Sequence, residues 1–138
     1  MKIFREMVRS TAMGADAIDH LMPYVEDEGL MQVMREQRET LHGFLCTAKG
    51  ELTADEAEEA EGGKLSKTML KASSTVSAML NSDTSHLARM LIEGYETGIV
   101  SMQKCVNEMQ KEHNEVPVCA KELLKTYDKH IRVLRKFL

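Results

Sequence analysis

Apolar residues recur every three to four positions through most of this chain, and no stretch of any length alternates with a period of two. That spacing puts one oily stripe on a helix and leaves a strand nothing to bury, so amphipathic helices are the expected element. Two prolines and eight glycines in 138 residues give those helices few places to stop. The periodicity predicts helices over 2–27, 30–49, 84–111 and 116–137, with a shorter, less regular one over 64–80. The inward stripes are Phe4, Val8, Thr11, Ala15, Ile18, Met22 and Val25 on the first, and Met34, Leu41, Leu45 and Ala48 on the second. They continue as Ala88, Leu91, Ile92, Tyr95, Ile99, Met102, Val106 and Met109, and end with Ala120, Leu124, Tyr127, Ile131, Leu134 and Leu138.

Local chemistry sets the boundaries. Pro23 interrupts the first stripe without shifting its phase, which predicts a kink and not a stop. Gly50 suits a left-handed C-cap. The acidic stretch TADEAEEAEGG (53–63) has little to bury and reads as a solvated linker with room for one helical turn. Ser82 or Asp83 can cap the next helix, and Asn114 can cap the last, with Pro117 in its first turn.

Connection lengths then choose a topology. Residues 26–29 and the turn HNEVP are too short for anything but reversals, so the long helices form two antiparallel hairpins. About 30 residues separate the hairpins, enough to travel the length of a bundle. The expected architecture is an all-α, ferritin-like four-helix bundle, a single domain over 1–138, with helix 64–80 in the crossover.

Composition narrows the function. At 43% apolar the chain can build a core, and a net charge of −4 supplies no global attraction to nucleic acid or an anionic membrane. The basic residues Lys125, Lys129, Arg132, Arg135 and Lys136 fall on the outer face of the last helix, where they complement its dipole. Three cysteines without a CxxC pair suit a reducing cytosol, and the opening MKIFREMVRS lacks the apolar run of a signal peptide. Cys105 and Cys119 stand at mirror positions about the last turn, either a redox pair or two thiols on one flank. Eleven methionines fit gap-filling in a helical core, with thioether copper binding at Met31/Met34 as the alternative.

A carboxylate-bridged di-metal centre needs inward Glu and Glu-x-x-His pairs. Glu39-Thr-Leu-His42 has that spacing, yet at 100° per residue Glu39 falls roughly 160° from Leu41 and points to water. The residue three before His130 is Tyr127, in mid-stripe. No cofactor is therefore expected. A metal set of Asp19, His42, Glu96 and His130 would require the helices to be rotated from these stripes. The polar exceptions on the stripes are Thr11, Gln37, Tyr95 and Tyr127. Gln37, Tyr95 and Tyr127 could hydrogen-bond across the core or line a small-ligand pocket between the hairpins.

The segments SDTSHLARMLIEGYETGI (82–99) and AKELLKTYDKHIRVLRKFL (120–138) resemble uncharacterised bacterial ferritin-like proteins of the small Firmicutes type. The resemblance follows helix order over nearly the whole chain. It implies a cytosolic bundle, often dimeric, with no established activity. Related families carry a Glu and a Glu-x-x-His pair on the third and fourth helices, and here Tyr127 replaces the second Glu. The combined expectation is a non-enzymatic bundle acting through protein association as a homodimer. Its surplus apolar surface would come from Met69, Leu70, Val76, Met79 and Leu80 on the crossover and from Met13, Leu21, Met31 and Met90 beside the main stripes.

Overall fold

Capping chemistry fixes most of the helix starts in this computed structural model, which describes residues 1–62 and 83–138. The expected helix over 64–80, with the apolar residues assigned to it, lies outside the described residues. Helix α1 spans Lys2–Leu21 and α2 spans Glu28–Lys49, where the Asp27 side chain accepts from the Leu30 amide. Residues 54–62 form α3, α4 runs Thr84–Lys111 with Asp83 accepting from the His86 amide, and α5 runs Val118–Leu134. Among the described residues there is no strand.

Three boundary expectations are corrected. Pro23 does more than kink α1, because the helix ends at Leu21 and continues as a single 3-10 turn, Met22–Tyr24. Gly50 is right-handed (φ −62°). Its left-handed freedom is not needed, since the amides of Glu51 and Leu52 close the helix on Ala48 and Lys49. Asn114 does not cap α5, whose N-cap is Pro117 without a side-chain bond. Instead the Asn114 amide closes α4 on Met109 at 2.9 Å, behind a left-handed His113 (φ 59°) whose amide reaches Gln110. Those two bonds make a Schellman end with His where glycine is usual.

The acidic stretch is also more ordered than a linker. Thr53 and Glu56 exchange backbone-to-side-chain bonds of 3.1 and 3.2 Å, a capping box that starts α3. Ala57 is buried, and Glu56 and Glu61 pair with Arg5 on α1 and Lys49 on α2. Arg5, with the Thr53 amide next, holds the Glu56 carboxyl down at about 2.

Contacts give the helix directions. Contacts run in opposite senses along each pair, Gly14 to Leu41 and Asp19 to Arg38, Lys2 to Glu108 and Ser10 to Gly98, Gly29 to Phe137 and Gln37 to the His130 carbonyl, so α1–α2 and α1–α4 are antiparallel and the α5 end of the chain runs antiparallel to α2. With α4 and α5 joined by a tight turn, α1 therefore runs parallel to α5, and α2 parallel to α4. The end of α2 and the start of α4 therefore lie at opposite ends of the bundle, roughly 30 Å apart along the helix axis. The shared core contains most of the expected stripe, including Phe4, Val8, Ile18, Met34, Leu41, Tyr95, Met102, Tyr127 and Leu134. Leu123 takes the fully buried place expected of Leu124, and Leu138, just beyond the 3-10 turn Arg135–Phe137, is 61% exposed. Leu21, expected beside the stripe as surplus, is in the core. No described helix is long and apolar enough to cross a membrane.

Candidate functional site

The inward polar residues separate into two clusters that meet at Tyr95. In the first, the Tyr95 hydroxyl donates to Gln37 Oε1 at 2.9 Å, and Gln37 Nε2 donates to the His130 carbonyl at 3.3 Å. This chain ties α4 to α2 and α2 to α5. The imidazole of His130 packs edge-on against Tyr95, with ring centroids 5.1 Å apart. Burial, with Lys129 adding to it, pushes His130 down to about 4, so the ring is neutral. Its Nδ1 has no partner among the described residues. His130 was not expected inside: a single ionisable residue on the edge of a stripe carries no periodic signal.

In the second cluster Tyr127 turns away from Gln37. Its hydroxyl pairs with Ser10 Oγ on α1, while its ring lies 5.4 Å from that of Tyr95. Both tyrosine hydroxyls are pushed above their ordinary range by burial and remain protonated.

Tyr95 and Tyr127 form part of the lining of a groove of about 640 Å³ between α1 and α4. Small residues open it. Ser10, Gly14 and Ala17 on α1 and Gly94, Gly98 and Ser101 on α4 all line it, each set spaced by four and then three residues. A Cβ at Gly98 would come within 3.1 Å of Ser10 Oγ and 3.2 Å of the Tyr127 ring, so glycine is what lets α4 approach. A Cβ at Gly94 would meet nothing within 4 Å, so that space is open. Met13, Met90 and Leu91 supply apolar lining, and Arg9 reaches Glu6 at 2.8 Å at the rim. The two matched small-residue triplets were visible in the sequence. A search for apolar stripes passes over them because glycine has no side chain to count.

The expected ligand set is thus divided: Tyr95 and Tyr127 line the groove, and Gln37 stands behind Tyr95. The alternative metal residues are not brought together. Asp19 is occupied by Arg38, His42 and Glu96 are exposed, and only His130 is inside. Among the described residues no three His, Cys, Asp or Glu side chains are placed to share an ion, and no described carboxylate is buried. All three cysteines are free; Cys119 lies 4.0 Å from the Met7 sulfur, while burial, then Glu6, raises the Cys105 thiol.

No protein-family model matches the chain, and no curated protein or solved structure is significantly similar to it.

Proposed function

We propose that this is a ferritin-like four-helix bundle that works by binding, without catalysis, a small and largely apolar molecule in the groove between α1 and α4. The ferritin-like assignment is supported by the helix directions, with antiparallel neighbours, parallel diagonals and a long return between the hairpins. The observation that carries the function is the groove: about 640 Å³, in the size range of small-molecule sites, apolar in most of its lining, with a few hydroxyls at its floor. The buried titratable groups are two tyrosines held protonated, the Cys105 thiol raised by burial and a histidine held neutral, and of these only the tyrosines line the groove.

Fluorescence of the neutral dye N-phenyl-1-naphthylamine tests this reading. The wild type should enhance and blue-shift the dye saturably. Gly94→Leu should abolish the effect with helical circular dichroism unchanged, because its side chain enters open space. Failure of the wild type to bind the dye contradicts the reading, as does equal binding by the variant. Loss of dye binding with a doubled scattering mass would assign the groove to a second copy of the chain.

A further inference from the structure

The hydroxyl pair at the groove floor narrows the ligand. Ser10 and Tyr127 share one hydrogen bond, in which either can donate. Whichever does, the other hydroxyl keeps a proton with no acceptor among the described residues, since neither oxygen has a second hydrogen-bond partner there and Ser10, unlike Thr11, does not bond back to its own helix. Tyr127 is 1% exposed, so bulk water does not easily relieve this. Both residues line the groove, and the spare proton is available there.

We propose that the groove selects a neutral, planar aromatic molecule whose carbonyl oxygen accepts the spare proton of the Ser10–Tyr127 pair. The proposal rests on the groove being a ligand site, and it adds the chemistry of the ligand. Neutrality follows from the rim. Arg9 is already engaged by Glu6, so the pair offers neither a free guanidinium nor a net charge to recruit an anion. Planarity follows from the walls, where Met13 on α1 and Met90 on α4 present thioethers suited to the edge of an aromatic ring.

Displacement of bound N-phenyl-1-naphthylamine by three probes of one shape tests the assignment: 2-acetylnaphthalene, 2-ethylnaphthalene and 2-naphthoate. The ketone should displace the dye at about five- to tenfold lower concentration than the hydrocarbon, the effect of one net hydrogen bond. Naphthoate should be the weakest. Ser10→Ala should keep the ketone preference, because Tyr127 then has its proton free. The double variant S10A/Y127F should bind ketone and hydrocarbon alike. Equal displacement by ketone and hydrocarbon on the wild type overturns the carbonyl assignment and leaves the groove reading standing, as does a preference that survives in the double variant. Naphthoate as the tightest probe overturns neutrality. A groove that binds neither the dye nor any probe overturns the underlying reading itself.

Discussion

Helix α1 has two seams, and they are built differently. Against α2, Gly14 is sealed by Leu41, whose Cδ1 would stand 3.0 Å from a Cβ at that position. Against α4, Gly94 is left unfilled, and the seam opens into the groove. The same residue type therefore closes one interface and opens the other. What decides is the partner: a fully buried branched side chain reaches into the first gap, whereas small residues line both sides of the second. An interior glycine in a helix costs about 0.5–1 kcal/mol relative to alanine, so the open seam is held at some expense of stability.

Substitutions on the two seams should differ most. Leu41→Ala should lose about 2–5 kcal/mol in urea denaturation, while Met90→Ala, half-buried at the groove, should lose under about 1 kcal/mol. Comparable losses would mean the groove side is packed as tightly as the closed one.

Behind the groove, His130 makes stability depend on pH. Its folded value of about 4 lies below its ordinary 6.5. The unfolded chain binds the proton more readily, so the stabilisation is complete above about pH 6.5 and is lost as the pH falls towards 4. The loss should be on the order of 2 kcal/mol after allowing for the partly solvent-reachable ring. His130→Phe should remove this component, seen as a flatter pH profile of the unfolding midpoint; an unchanged profile would show that the ring charges freely. Tyr95→Phe should cost about 1–2 kcal/mol in the same assay by leaving Gln37 Oε1 without its donor.

The smallest effects compare the two glycines of α4. Gly94→Ala should stabilise by up to about 1 kcal/mol, since the methyl group meets nothing. At Gly98 the same change pushes on Ser10 and Tyr127 and should give no net gain in thermal midpoint.

Helix positions and core faces were largely legible in the sequence because a 3.6-residue period is a property of many residues at once. Met34, Leu41, Tyr95 and Tyr127 were placed inside on that basis, and all four are buried. Features set by one residue or by a partner far along the chain were not legible. Pro23 could kink or end α1 with the same local chemistry. The capping box of Thr53 and Glu56 was hidden by the acidic run around it, whose charges gain purpose only from Arg5 and Lys49. Of the site, the tyrosines were found as polar interruptions of a stripe. A pocket between the hairpins was anticipated beside them, but its walls on α1 and α4 were not, because the space left unfilled at Gly94 belongs to a residue with no side chain to carry a periodic signal.

Methyl NMR of methionine-labelled protein, titrated with 2-acetylnaphthalene, tests the ligand groove most directly. The account predicts saturable shifts of the Met13 and Met90 methyls, with Met34 and Met102, fully buried in the closed core, left in place. Unmoved Met13 and Met90 signals up to the solubility limit of the ketone, or shifts confined to other methionines, would contradict it.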